Sequence, residues 1–173
     1  MSQAAAPSAP IIVSALFGAE DAAFLTGLRR AHFPPERKHL DAHLTLFHHL
    51  PPSLEGELKR RLAQETRGIA SPRAMLAGFM NFGRGVAFRV ESPELEAQRE
   101  KLRDAFAPLL TPQDAGGWRP HVTIQNKVEP AVARALKAEL EAGFRPRSLS
   151  IAGIGCFYYR GGPWEPISRH MFA

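Results

Sequence analysis

The chain has 173 residues, 45% of them hydrophobic, and carries a formal net charge of +5 with a sequence pI near 9.9. These values exclude a disordered chain and favour one domain whose core needs no covalent crosslinks. The single Cys156 excludes an internal disulfide, no apolar run approaches the about 18 residues of a membrane span, and the positive charge suits an anionic partner.

In the first half of the chain, the sequence predicts a short tail followed by four strands and two helices. Residues 1–9 predict a disordered tail, because they are small and uncharged and lack the basic flank and apolar run of a signal peptide. From residue 10 onward, short apolar runs alternate with segments of helical spacing. The predicted elements are, in chain order, strand 10–18, helix 20–33, strand 43–50, a helix capped by Ser53, and strands 74–82 and 86–91 joined by a tight turn.

The second half repeats this order of elements. Ser92 followed by Pro93 predicts the N-cap and first turn of a helix. The elements after it are strand 120–128, a helix from Pro130 to Gly143, strand 148–159 and strand 164–172. Because successive strands joined by short turns pair antiparallel, we predict an α+β fold over residues 10–173 as a single domain. It is expected to be a bilobal duplicated unit, with two largely antiparallel sheets facing across a central cleft and helices packed on the outside.

One tetrapeptide pattern occurs on both of the equivalent predicted strands: His, aliphatic, Thr, aliphatic. "HLTL" begins at His43 and "HVTI" begins at His121. Because residues i and i+2 of a strand share a face, each His shares its face with Thr45 or Thr123, and the aliphatic residues point into the core. Seven histidines and five threonines in 173 residues predict about 0.2 His-x-Thr occurrences by chance, so two matched copies are a specific signal.

Two imidazoles and two hydroxyls that face one cleft suit acid–base chemistry at phosphorus. One neutral His can take a proton from an attacking water or hydroxyl, while the other, protonated, donates to the departing oxygen. The Thr hydroxyls can donate hydrogen bonds to the centre that gathers negative charge. In-line displacement at phosphorus fits this arrangement, which requires no metal ion and no cofactor. The sequence leaves open which His is the acid and which is the base.

The paired motifs resemble those of the two-histidine phosphoesterases, and the chain is most similar to their bacterial branch of RNA 2',3'-cyclic phosphodiesterases, also called 2'-5' RNA ligases. The resemblance covers nearly the whole chain in element order, and its specific part is the two tetrapeptides. It implies catalytic roles for His43 and His121, and metal-independent cleavage or formation of phosphodiester bonds that involve a 2' oxygen. It also implies that Thr45 and Thr123 bind phosphate.

Three further residues are candidate substrate contacts. Phe47 shares the parity of His43 on the predicted strand, so its ring could stack on a base, although core packing explains it equally well. Close relatives often have an arginine after the second motif, where this sequence has Asn126 and then Lys127. Lys127 and Arg160 could contact phosphate. We expect an RNA or nucleotide substrate, no membrane association, no obligate protein partner, a monomer, and a cytoplasmic location.

Other interpretations of the histidines remain. His39 and His43 are four residues apart, as in a helical metal pair, but the residues between them lack the Glu of a zinc protease motif and the strand breaks helical spacing. His48 and His49 are adjacent, so they point to opposite strand faces and are predicted to be structural or surface residues. The chain could also be an RNA- or nucleotide-binding module with little turnover, although binding alone needs no matched acid and base.

Overall fold

The computed structural model describes residues 9–37 and 40–173 of the chain. Residues 1–8 of the predicted tail and His39 therefore lie outside the described residues, and Ala9 is buried. The helices of the described ranges are α1 (Ala19–His32), α2 (Glu55–Thr66), α3 (Pro93–Phe106), α4 (Pro112–Ala115) and α5 (Pro130–Glu141). The strands are β1 (Ile11–Phe17), β2 (Leu44–Leu50), β3 (Arg73–Asn81), β4 (Val86–Glu91), β5 (His121–Gln125), β6 (Arg147–Tyr158) and β7 (Glu165–Met171).

The strands form one antiparallel sheet of seven strands in the order β2-β1-β6-β3-β4-β5, with β7 also paired to β6. Strand β6 joins two groups of strands, because its residues 147–150 pair with β3 and its residues 151–158 pair with β1. The α+β class and the antiparallel pairing are confirmed. The two predicted sheets are hydrogen-bonded into one through β6, and the duplicated, two-lobed arrangement stays a prediction.

The capping residues in the sequence predict the start of one helix correctly, but they misplace the start of a second and did not lead to a third. Ser92 caps α3 as predicted, because its hydroxyl accepts a hydrogen bond of 3.2 Å from the backbone N–H of Leu95. The predicted cap at Ser53 is wrong, since Ser53 lies within a 3-10 turn and α2 begins two residues later at Glu55. Helix α4 was not predicted, although Thr111 caps it and is followed by Pro112, the same Ser/Thr-Pro pattern that starts α3.

Strand β5 ends earlier than predicted. The expected strand ran over residues 120–128, but β5 stops at Gln125. Lys127 has a φ of 64°, which is left-handed backbone that an extended strand cannot continue through. The chain therefore turns away immediately after the second His-x-Thr motif.

The core lies between the sheet and the helices. Helix α1 packs against β5, α5 against β3 and β4, α3 against β3, and α2 against β7 and β6. The Phe24 ring of α1 lies 6.3 Å from the Phe88 ring of β4, so the first helix reaches the strands of the second motif. None of the described helices is both long and apolar enough to cross a membrane.

Candidate active site

Both His-x-Thr segments alternate between a buried and a half-buried face. The four aliphatic members are wholly buried: Leu44, Leu46, Val122 and Ile124. The His and Thr of each motif are half-buried. The burial pattern thus shows the predicted core face and polar face in both segments. His43 directly precedes β2, and His121 is the first residue of β5.

The two imidazoles are held in the same way. The Nδ1–H of His43 donates to the carbonyl oxygen of Asp41 at 2.8 Å, and the Nδ1–H of His121 donates to that of Arg119 at 2.7 Å. A carbonyl can only accept, so each bond places the proton on Nδ1 and leaves Nε2 of the neutral ring as the proton acceptor. Each ring is therefore fixed in orientation by the carbonyl two residues before it.

A buried arginine ties the two motifs together. Strands β2 and β5 stand at opposite ends of the strand order, yet they are in contact. Arg29 of α1, only 7% exposed, donates from Nε to the carbonyl of Leu40 and from Nη1 to that of Thr123, both at 2.9 Å. Its guanidinium also lies 4.2 Å from the centre of the Phe33 ring. Arg29 thus links the segment that leads to His43 with the strand that carries His121.

His43 packs against an aromatic residue that the motif does not contain. The centroids of the His43 and Trp164 rings are 4.6 Å apart, and Trp164 in turn lies 5.6 Å from Phe157. Burial lowers the pKa of His43 to about 4; the hydrogen bond to Asp41 opposes this shift, and the charges of Arg29, His121 and His48 add to it. His43 is therefore neutral near pH 7.

A cavity of about 450 Å³ opens beside His43. Its walls include Trp164 and Phe157 from the β6–β7 hairpin, Arg169 from β7, and Ser14 from β1. A cavity of this size falls in the range of small-ligand sites. The sequence shows several aromatic residues near residue 160, but it does not indicate that Trp164 is the one that contacts His43.

Residues of the second half cover the outer edge of β2. The carboxylate of the buried Asp114 accepts hydrogen bonds from the backbone N–H groups of His48 and His49, each at 2.9 Å in its shorter contact. The Nδ1–H of His48 donates to the same carboxylate at 3.3 Å. Burial alone would raise the pKa of Asp114, but these hydrogen bonds lower it below its usual value. His48 and His49 are exposed, with His48 in this structural contact.

Two more side chains complete this cover. Arg99 of α3 donates from Nε to the carbonyl of Leu46 at 2.8 Å, and Trp118 donates from Nε1 to the carbonyl of Thr45 at 3.0 Å. The Arg99 guanidinium also lies 4.6 Å from the centre of the Phe47 ring. The strand that carries the first motif is thus paired with β1 on one side and capped by side chains on the other.

The prediction that Phe47 contacts substrate is wrong. Its side chain is 0% exposed, so no part of the ring can stack on a base. The cause is a shift of register between β1 and β2: Val13 pairs with Phe47, but Ser14 pairs with Thr45. One extra residue in β2 breaks the alternation, so that Leu46 and Phe47 are both buried.

The two predicted phosphate contacts lie on the surface, and neither lines the cavity beside His43. Lys127 is exposed in the turn after β5, with its backbone N–H bonded to Oδ1 of Asn126 at 2.8 Å. Arg160 is exposed in the β6–β7 turn, where its Nε donates to Glu165 at 2.7 Å and its guanidinium lies over the Tyr158 ring. Their contacts with phosphate stay predictions.

Gln125 extends the polar face of β5 beyond Thr123. It is only 4% exposed, and its Oε1 has no hydrogen-bond partner among the described residues. The parity of the strand could have identified it, since it lies two residues after Thr123. Within residues 9–37 and 40–173, no group of three or more His, Cys, Asp and Glu side chains is arranged to hold a metal ion.

The chain is similar to one known protein family over most of its length. The model of the 2'-5' RNA ligase superfamily matches residues 17–163. A comparison with curated proteins found no match.

Solved structures share the fold at low sequence identity. TT0787 of Thermus thermophilus has a TM-score of 0.66 at 17% identity, over 94% of this chain and 97% of that chain. E. coli LigT complexed with 3'-AMP has a TM-score of 0.60 at 17% identity, over 96% of this chain and 99% of that chain. A structure described as a phosphoesterase has a TM-score of 0.58 at 20% identity, over 95% and 99% of the two chains.

Proposed function

Because the chain belongs to the 2'-5' RNA ligase superfamily, a family of two-histidine phosphoesterases, we propose that it is a metal-independent phosphodiesterase. Its proposed substrates are RNA or nucleotides that carry a 2',3'-cyclic phosphate or a 2'-5' linkage, with ligation as the reverse reaction. The observation that carries this proposal is the matched anchoring of His43 and His121 through Nδ1 on two strands that contact each other. Because both rings are anchored through Nδ1, both Nε2 atoms could transfer protons. A site that only binds a ligand does not need two such groups.

The environment of His43 supports a division of roles. Since the pKa of His43 is lowered to about 4, its Nε2 is unprotonated near pH 7 and suits the general base. In hydrolysis it takes a proton from water, whose oxygen forms a bond to phosphorus as the bond from phosphorus to the ribose oxygen breaks. His121 is then the acid, giving its Nε2 proton to that leaving oxygen. Thr45 and Thr123, whose hydroxyls have no partner within the described residues, are proposed to donate to the phosphate oxygens.

Structures of a relative support a nucleotide substrate. E. coli LigT has been solved in complex with 3'-AMP, with NADP+, with ATP and with phosphate. All four contain phosphate and three contain a nucleotide. We extend this ligand class to the present chain, and propose that it acts as a cytoplasmic monomer without an obligate protein partner.

Turnover of defined cyclic phosphates tests the proposal. Nucleoside 2',3'-cyclic phosphates and RNA oligonucleotides ending in one would be incubated with the protein, with and without a strong chelator. We expect hydrolysis that survives chelation, because both proposed proton-transfer groups belong to the protein. Binding of these ligands without turnover would identify a nucleotide-binding module instead. Activity lost on chelation and restored by zinc or manganese would overturn the metal-independent mechanism.

A further inference from the structure

The cavity beside His43 has the features of a site for an aromatic group next to the reacting phosphate. Trp164 contacts the His43 ring and lines this cavity together with Phe157. A flat aromatic ligand gains affinity by stacking on such side chains, whichever base it is. Because the indole is in contact with the ring of His43, a base in the cavity would lie beside that ring.

Arg169 adds a positive charge to the same cavity. It is exposed on β7, and within the described residues its side chain has no hydrogen bond or ion pair. The neighbouring cations are engaged: Arg29 bonds backbone carbonyls, and Arg30 pairs with Asp41 at 3.4 Å. Asp41 is the carboxylate that lines the cavity, and its charge is offset by Arg30. An unpaired guanidinium on the wall of an aromatic cavity suits a phosphate, which it can bind through two hydrogen bonds.

We propose that this cavity is a nucleoside subsite and that Arg169 binds a second phosphate of the occupant, one that does not react. The inference rests on the proposed function, because it places the nucleoside next to the phosphate at which His43 is proposed to act as the general base. It narrows the substrate class to cyclic phosphates that carry a further phosphate on the same nucleoside. That phosphate comes either from a 5'-phosphorylated mononucleotide or from the backbone of an oligonucleotide.

A comparison of three substrates tests the role of Arg169. These are adenosine 2',3'-cyclic phosphate, its 5'-phosphorylated form, and a dinucleotide that ends in the cyclic phosphate. The wild-type protein should prefer either phosphorylated substrate by about tenfold or more in kcat/KM, as for a charge-assisted hydrogen bond. Arg169→Gln should abolish this preference. Arg134→Gln is the matched control, because Arg134 is another exposed arginine without a partner within the described residues, on α5, and should keep the preference.

The pattern across the substrates identifies the source of the phosphate. A preference for the dinucleotide alone assigns the subsite to an oligonucleotide backbone, and a preference for both assigns it to any 5' phosphate. An equal kcat/KM for all three substrates, or a preference that Arg169→Gln retains, would overturn the inference while leaving the proposed function intact.

Fluorescence gives a readout that needs no turnover. The chain has two tryptophans, and stacking of a base on Trp164 should quench its emission when adenosine 5'-monophosphate is added. Trp164→Phe should remove this quenching, and the remaining emission of Trp118 serves as the internal control. Quenching without any hydrolysis would retain the subsite and reject the proposed function. Hydrolysis without quenching would reject the subsite and retain the proposed function.

Discussion

The protonation of His43 is decided by its surroundings more than by its motif. The ring is half-buried against Trp164, and burial is the main cause that lowers its pKa to about 4. The hydrogen bond from Nδ1 to Asp41 holds the ring in place without keeping it charged. His43 therefore stays a proton acceptor over a pH range in which an exposed His would already be protonated.

This environment predicts an activity profile that extends to low pH. If His43 is the base, kcat/KM should fall on the acid side with a midpoint near pH 4, because protonated Nε2 cannot accept a proton. Measurement of kcat/KM for a cyclic nucleotide from pH 3 to pH 10 checks this, with correction for any unfolding. An acid midpoint near the ordinary His value of about 6.5 would contradict the assignment.

The same pKa predicts a loss of stability in acid. The pKa of His43 is about 4 in the folded protein and about 6.5 in the unfolded chain, so the unfolded chain binds the proton first as the pH falls. The wild-type free energy of unfolding should therefore fall, relative to that of His43→Gln, by up to about 3 kcal/mol between pH 6.5 and pH 4. Urea denaturation at both pH values measures this difference. His49→Gln, at an exposed position, is the control and should follow the wild type.

At the scale of elements, the outer edge of β2 is kept in place by side chains from the second half. The Asp114 carboxylate accepts hydrogen bonds from two consecutive backbone N–H groups of β2. Arg99 and Trp118 donate hydrogen bonds to backbone carbonyls of the same strand. An unprotected edge strand would be free to fray or to pair with another chain. This cover positions Thr45, because the Trp118 indole bonds the Thr45 carbonyl directly.

Removing the Asp114 carboxylate should destabilise the fold. Asp114→Ala leaves the N–H groups of His48 and His49 without their acceptor, which should cost about 2–4 kcal/mol in the free energy of unfolding. Asp114→Asn retains one acceptor oxygen and should cost less. Chemical denaturation at pH 7 measures both, and Asp104→Ala on the exposed face of α3 is the control. Equal stability of Asp114→Ala and Asp104→Ala would show that β2 does not depend on this cover.

The sequence predicts the helices and strands better than it predicts register shifts within strands and contacts between distant residues. The two motifs, the cap at Ser92 and the antiparallel pairing follow from local patterns of periodicity and capping. The error at Phe47 arises because the register shift in β2 depends on its partner β1 and has no local signal. Arg29 and Asp114 were missed for a similar reason: their partners Thr123 and His48 lie 94 and 66 residues away in the chain.

At the scale of the whole molecule, long-range pairing brings the two motifs together. Strand β6 pairs with β3 through one part and with β1 through the other, and α1 crosses to β5, where Arg29 meets the second motif. The joining role of β6 could not be predicted, because its length and apolar pattern do not identify its partners. The solved structures that share this fold at 17–20% identity show that the architecture tolerates wide change in sequence.

The central claim is that His43 and His121 act as one acid–base pair. The most direct measurement is the rate of hydrolysis of a 2',3'-cyclic phosphate by the wild type, His43→Gln, His121→Gln and the double variant, with His49→Gln as the control. Each single substitution should lower kcat by about 10² to 10⁴, and the double variant should be little slower than the slower single variant, because neither proton transfer helps without the other. Unchanged rates in either single variant, or a double variant slowed by the product of the two single factors, would contradict the account.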